Sequence, residues 1–226
     1  MTRTTISRVA GLAFLAYIAL GIASLILFGK AVHGDGVVEQ LTGISQHIPF
    51  VRIGVVLDLA CGLCAIVLGV TLYALTREQD ADLATLGLIC RTAEGVVAGI
   101  SVQRSLGLLW LADAVKTNTS NTEATNAIAS YLLGQSWSGT VAAIFFAVGS
   151  TAFSWLFLRG RMIPAALAWL GVISSALLVI ALPLQLGGFV PGSAVQFLWI
   201  PMAAFEIPLA VWLIVKGAAV PRGHVT

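Results

Sequence analysis

Six apolar runs, each about as long as a membrane span, constrain this chain more than any other feature. They cover residues 9–29, 50–75, 83–114, 136–158, 165–186 and 193–216. A helix of about 20 apolar residues crosses a hydrocarbon core of roughly 30 Å. Inside that core every backbone N–H and C=O must be satisfied within the segment, as an α-helix does. The runs therefore predict an all-α fold, a polytopic membrane helix bundle with six transmembrane helices.

The composition agrees with this class. Of the 226 residues, 58% are hydrophobic and 10% are charged, whereas soluble domains carry roughly 25% charged residues. Because the connections are short, we expect residues 1–226 to form a single integral membrane domain. The formal net charge of +2, without a basic tract, argues against nucleic acid as a partner. The expected partners are membrane lipids, and the sequence leaves the oligomeric state open.

The first run has a second interpretation. A polar start followed by an apolar run is also typical of a signal peptide, and Gly21 to Ala23 could form its cleavage site. The run is closer to 20 residues than to the 7–15 of a signal-peptide core, which favours an uncleaved span. Two short helices outside the spans are also predicted, one before Pro49 and one on the membrane surface over residues 123–135.

Basic residues predict the orientation. One side of the membrane would hold Arg3, Arg8, Arg77, Arg159, Arg161, Lys216 and Arg222. The other would hold Lys30 and Lys116, with Arg52 at its border. Because basic residues favour the cytoplasmic side, we expect both termini in the cytoplasm and a multi-pass protein of the cytoplasmic membrane.

Charged residues inside the predicted spans indicate where a site would lie. Arg91 and Glu94 are one helical turn apart in the third span, and an ionisable group in hydrocarbon usually faces a partner or a wet cavity. With a rise of about 1.5 Å per residue, Glu94 and Glu206 both fall near mid-bilayer. A second group lies further out and consists of Asp58, Arg104 and, at the boundary, Arg52.

These groups predict a polar pocket between the second, third and sixth spans. Pro201 and Pro208 flank Glu206, and each proline removes an N–H and loosens the helix there. Glu94, Glu206 and Asp58 are the candidate catalytic residues. The candidate ligand-binding residues are Arg91, Arg104, Arg52, Ser101, Trp110 and Trp199. The tryptophans also fit an interfacial aromatic belt.

The alternative is purely structural: Arg91 and Glu94 would form a salt bridge that holds helices together. Cys61 and Cys64 match C-x-x-C, but deep in a span they fit small buried residues better than a redox pair. Histidines 33, 47 and 224 lie in loops or the tail without metal-ligand spacing. We therefore expect no metal site and no cofactor.

Several short motifs resemble the DUF4386 family, bacterial membrane proteins of unknown function. They are residues 8–12, 72–75, 89–95, 158–164 with 170–171, and 205–209 with 212–213 and 216–217. In the family the third-span motif reads roughly Arg-x-x-Glu-Ala, and here Gly95 replaces the alanine. The resemblance includes Arg91, Glu94 and Glu206 but no matching pattern for Asp58, and it implies six spans without an activity. A looser fold-level analogy is with small membrane-bound terpene cyclases.

The sequence leaves three functions open. The first is a pocket for a small hydrophobic, lipid- or isoprenoid-like ligand, with acid/base catalysis such as terpenoid cyclisation by Glu94 and Glu206. The second is a small-solute or proton-coupled transporter that uses the same carboxylates. The third is a structural or regulatory membrane subunit. An enzyme would have a pocket closed to at least one side, whereas a carrier needs access from both.

Overall fold

The computed structural model describes residues 2–116, 122–134 and 137–221, and within them the chain forms nine α-helices. They are α1 (Arg3–Ala31), α2 (Val37–Gln46), α3 (Ile48–Thr76), α4 (Ala81–Lys116), α5 (Thr122–Gly134), α6 (Trp137–Arg159), α7 (Ala165–Leu186), α8 (Gly192–Gln196) and α9 (Trp199–Val215). Six segments of this part of the chain are long and apolar enough to cross a membrane. The predicted six-span, all-α membrane bundle is confirmed.

The long helices are arranged as a ring in chain order. α1 packs on α3, α3 on α4, α4 on α6, α6 on α7 and α7 on α9, and α9 returns to α1. Helices joined by short connections are expected to pack as antiparallel neighbours. We call the end of the bundle that holds the start of α1 and the end of α9 the terminus side, and the opposite end the loop side.

Arg3 ties the terminus side together. Its Nη2 donates hydrogen bonds to the carbonyl oxygens of Leu75, at 2.8 Å, and Ala219, at 2.9 Å. The amide of Ala218 donates to Ser7 Oγ at 3.1 Å. These bonds join the first helix to the end of α3 and to the segment after α9, which closes the ring.

The two predicted short helices, α2 and α5, cover the loop side of α4. A small apolar core lies beneath them and includes Leu41, Ile44, Leu108 and Ala129. The main core fills the terminus side and the space between α6, α7 and α9, and includes Leu68, Phe153, Leu156, Met202 and Phe205. The two cores leave a less filled region between them along α1, α3 and α4.

Two details differ from the sequence prediction. The run at 193–216 is divided into α8 and α9. Pro201 lies in the first turn of α9, where a backbone N–H has no acceptor within the helix, so the missing N–H of proline breaks no helical hydrogen bond. Only Pro208 lies in the interior of that helix. The expectation that both prolines loosen the helix around Glu206 is therefore wrong. Ser136, Arg222 and His224 lie outside the described residues, as does most of the polar stretch after Lys116.

Candidate functional site

A buried ion pair forms the centre of the site. Arg91 and Glu94 are on the same face of α4, and Arg91 Nη1 lies 2.9 Å from Glu94 Oε2. The hydroxyl group of Tyr17 in α1 donates a hydrogen bond to Glu94 Oε1, with the two oxygens 2.6 Å apart. The side chains of Arg91 and Glu94 are 1% and 4% exposed. Both ionisable groups are therefore held away from the lipid, as the cost of a charge in hydrocarbon requires.

Two glycines make the space that Arg91 occupies. A Cβ added at Gly69 of α3 would lie 3.0 Å from Arg91 Cβ, and one at Gly149 of α6 would lie 3.3 Å from Arg91 Cγ. Any other residue at these positions would press on the arginine, because interiors are close-packed. The arginine therefore runs between α3 and α6 toward the middle of the ring.

Aromatic rings surround the guanidinium. Arg91 Cζ is 5.2 Å from the ring centroid of Tyr17 and 5.0 Å from that of Phe146. Both distances are within the range of a cation–π attraction. Phe146 is parallel to Tyr17, with centroids 6.4 Å apart, and also contacts Trp199, with centroids 5.7 Å apart. The aromatic groups of α1, α6 and α9 thus meet at the ion pair.

The hydrogen bonding of this cluster is incomplete. Although Arg91 and Glu94 are in ion contact, none of the three guanidinium nitrogens has an aligned hydrogen-bond acceptor among the described residues. Glu206 of α9 is 6% exposed, and its Oε1 is enclosed without a hydrogen-bond partner in the described part of the chain. Buried polar atoms are almost always hydrogen-bonded, so these atoms require an explanation.

A cleft lies directly beside the cluster. One cavity of about 510 Å³ is lined by Tyr17, Cys61, Glu94, Phe146 and Trp199, among others. A second cavity, of about 410 Å³, shares Tyr17, Cys61 and Trp199 with the first and reaches Glu206. Volumes in this range are typical of small-molecule sites. Glu94 and Glu206 therefore line two parts of one cleft.

The cleft continues toward the loop side. A third cavity, of about 350 Å³, shares Gly21, Leu25 and Ser101 with the first and contains Asp58 and Arg104. Along α1 the three cavities extend from Tyr17 to Phe28, which is about 16 Å at the rise of an α-helix. The space is therefore elongated, with ionisable groups at both ends.

The outer polar residues already have partners in the fold. Asp58 Oδ1 accepts a hydrogen bond from Ser24 Oγ at 2.6 Å. Arg104 Nε and Nη2 donate to the carbonyl oxygens of Leu132, at 2.7 Å, and Leu133, at 3.2 Å. These carbonyls belong to the last turn of α5, where a helix has unpaired acceptors. Arg104 thus caps α5, and Asp58 and Arg104 do not form an ion pair with each other.

The remaining predicted site residues divide into two groups. Ser101 lines two of the cavities and donates its hydroxyl to the carbonyl of Ala98. Trp199 lines two as well. Arg52 and Trp110 are exposed and line none of these three cavities. The structure therefore brings together Arg91, Glu94 and Glu206, places Asp58, Arg104 and Ser101 at the other end of the cleft, and separates Arg52 and Trp110 from it.

The sequence reasoning missed the contribution of α1 and α6. It predicted a pocket between the second, third and sixth spans, whereas the cleft is also bounded by α1 and α6, through Tyr17 and Phe146. A tyrosine hydroxyl in mid-span was a usable signal, because a buried Tyr O–H usually finds a partner. Phe146 gave no such signal, since phenylalanine is an ordinary residue of an apolar run.

Residues 9–217 match the DUF4386 family, which is described as a domain of unknown function. The match covers most of the chain, and the chain belongs to this family. No curated protein and no solved structure shows a significant match.

Proposed function

We propose that this DUF4386 protein binds a small lipophilic molecule in the intramembrane cleft and exchanges a proton with it through Glu206. The observation that carries the proposal is the Glu206 side chain, which lines a cavity of about 410 Å³ and has one enclosed carboxylate oxygen without a hydrogen-bond partner in the described chain. A buried polar atom without a partner is costly. A ligand group that pairs with the Glu206 carboxylate from the cleft would offset this cost.

The division of roles between the two carboxylates follows from their contacts. Glu94 has an ion contact with Arg91 and a hydrogen bond from Tyr17, so its charge is balanced within the protein. Glu206 has neither. We therefore assign proton exchange to Glu206 and a positioning role to the Arg91–Glu94–Tyr17 cluster. If the protein catalyses an acid/base reaction, Glu206 is the group that gives a proton to the ligand or accepts one from it.

The surroundings of the cleft support a ligand that arrives from the membrane. Ile22 and Leu25 line the 410 Å³ cavity and are 53% and 72% exposed on α1. α1 and α9 touch closely nearer the terminus side, where a Cβ on Gly11 would lie 2.6 Å from the carbonyl oxygen of Ala210. At Gly21 the nearest such neighbour is Cys61 Sγ at 3.9 Å. Here the cavity of about 410 Å³ lies between α1 and α9 and gives lipophilic molecules a route from the bilayer.

Binding and acid/base chemistry fit this cleft better than transport across the membrane. Toward the terminus side the ring is filled by fully buried side chains, including Leu68, Phe153 and Leu156. A carrier would need a path through this core. We place the protein in the cytoplasmic membrane, surrounded by lipids, with both termini on the cytoplasmic side.

Native mass spectrometry of the purified protein tests the proposal. The wild type, released from mild detergent, is expected to retain a small molecule that Glu206→Gln loses. Asp82→Asn is the matched control, because it removes an exposed carboxylate from the first turn of α4 and should leave the bound molecule in place. A wild type that carries no such molecule, also after incubation with a total lipid extract, would contradict the proposal.

A further inference from the structure

The cleft has an excess of carboxylate over cation. Arg91 is the only guanidinium that interacts electrostatically with Glu206 in the described chain, and Arg91 is already in ion contact with Glu94. When both glutamates are ionised, two negative charges face one positive charge. An unbalanced charge in a buried site is unfavourable, so a bound positive charge would restore neutrality.

An aromatic wall lies where that positive charge would sit. Trp199 lines both the cavity at Glu94 and the cavity at Glu206, and Tyr17 lines both as well. Phe146 completes the wall, 5.7 Å from Trp199 between ring centroids. Indole and phenol rings attract cations over their faces, and aromatic cages of this kind recognise ammonium groups. Trp199 is not a partner of Arg91 in either cation–π contact of that arginine.

We infer that the ligand of the cleft is a lipophilic cation, a protonated or quaternary amine, whose charged head pairs with Glu206 beside Trp199. Its apolar part fills the elongated space along α1 toward Leu25. This inference rests on the proposed function and names the ligand class of the same cleft. It is independent of whether the protein then changes the ligand chemically.

The proton balance is simple. A neutral amine that enters from the lipid takes the proton of the Glu206 carboxylic acid: an N–H bond forms, the O–H bond breaks, and an ammonium–carboxylate pair results. A quaternary ammonium ion brings its own charge, so the Glu206 proton passes to the water. In the part of the chain that the structure describes, the titratable and charged groups that face Glu206 or share the wall of its cavity are Arg91, Glu94, Tyr17 and Cys61. They remain in place in every variant used below.

Equilibrium binding to the full-length protein in maltoside micelles tests the inference. The probe is radiolabelled tetraphenylphosphonium, a permanent lipophilic cation, and the competitors are dodecyltrimethylammonium and dodecanol, which share an alkyl chain and differ in charge. We expect dodecyltrimethylammonium to displace the probe at a concentration at least tenfold lower than dodecanol does. We expect Glu206→Gln to weaken probe binding at least tenfold, whereas Glu206→Asp and Asp82→Asn stay within about threefold of the wild type.

The outcomes separate the ligand class from the proposed function. If dodecanol competes as well as the ammonium ion and Glu206→Gln binds the probe normally, the cation inference is overturned, although a neutral lipophile could still occupy the cleft. If native mass spectrometry also finds the wild type empty, the proposed function fails as well. Glu206→Asp is the control for misfolding caused by a substitution at this position, because it keeps the carboxylate and should still bind the probe. If both Glu206 variants elute as single monodisperse species and both lose binding, the pairing with Glu206 is wrong.

Discussion

At the scale of single residues, the two glutamates of the site differ in the contacts that they make. Glu94 is matched by Arg91 and by the Tyr17 hydroxyl, whereas Glu206 has an enclosed oxygen without a hydrogen bond in the described chain. Removing one member of a buried ion pair is costly because the other charge is left uncompensated. Removing a carboxylate that has no hydrogen bond costs far less.

We therefore expect opposite behaviour from two matched substitutions. Glu94→Gln leaves the Arg91 charge without its closest partner and should lower the free energy of unfolding by about 3 kcal/mol. Glu206→Gln should change it by less than about 1 kcal/mol, because no protein hydrogen bond to the enclosed oxygen is lost. Unfolding in mixed micelles with increasing denaturing detergent, followed by circular dichroism, measures both values. Equal losses would show that Glu206 is as structural as Glu94.

The double substitution tests whether the two carboxylates share Arg91. In Glu94→Gln, Glu206 can ionise and supply a negative charge that interacts with Arg91, but in the double variant neither glutamate can do so. The loss in the double variant should exceed the sum of the single losses by about 1 kcal/mol or more, as expected for groups in one network. Strict additivity in the same unfolding assay would mean that Glu206 and Arg91 are electrostatically independent.

At the scale of elements, α3 and α4 meet through two glycines. A Cβ on Gly95 would lie 2.6 Å from the carbonyl oxygen of Gly62, and a Cβ on Gly62 would lie 2.9 Å from that of Gly95. Small residues let membrane helices approach this closely. Gly62 and Gly95 thus set this crossing, and Gly95 comes directly after Glu94. The position of Glu94 in the cleft depends on it.

Two glycine-to-alanine substitutions one turn apart on α4 should have different effects on the stability of the protein. Gly95→Ala forces α3 and α4 apart and should destabilise the protein by about 1–3 kcal/mol. Gly99→Ala has open space around the new methyl group and should be neutral or stabilising by up to about 1 kcal/mol, because alanine favours helix over glycine. Thermal unfolding of the two variants in the same detergent makes the comparison. Similar losses in both would contradict a close approach specific to Gly95.

The docking of α5 depends on one side chain of α4. Arg104→Ala removes two hydrogen bonds to the last carbonyls of α5, and bonds from a charged donor contribute about 1.5–3 kcal/mol each at most. We expect residues 122–134 to exchange amide hydrogens at least tenfold faster in this variant, measured by mass spectrometry. Arg52→Ala removes an exposed arginine from α3 and should leave the exchange of α5 unchanged. If both variants exchange alike, the cap does not hold α5.

At the scale of the whole molecule, the ring of helices places the start of α1 and the end of α9 on the same side of the bundle. Lys30 lies at the loop-side end of α1, and Lys216 follows α9 on the terminus side. These two exposed lysines are therefore markers of opposite faces of the membrane.

A membrane-impermeant amine reagent applied to intact cells should modify Lys30 and leave Lys216 unmodified. This follows from the basic residues on the terminus side, which favour a cytoplasmic location. After the membrane is disrupted, both lysines should react, as peptide mapping by mass spectrometry would show. Modification of Lys216 in intact cells would reverse the predicted orientation.

The sequence by itself determined the fold class and the number of spans. These properties follow from local rules, since about 20 apolar residues must be helical in a bilayer. The sequence also singled out Arg91, Glu94 and Glu206, because an ionisable group in an apolar run is conspicuous by itself. Five of the six spans needed nothing beyond these rules, and only the last one is divided in a way that the pattern did not indicate.

Only the tertiary structure decided which helices surround these residues and what each polar group contacts. Arg104 and Arg91 are both arginines inside the third apolar run, yet Arg104 caps a short helix and Arg91 lies between Gly69 and Gly149. The return of α9 to α1 brings Tyr17 and Trp199 to the same cleft, although 182 positions separate them in the sequence. Such contacts depend on how the helices rotate and approach one another, and that is fixed by packing among side chains and small residues rather than by hydrophobicity along one helix.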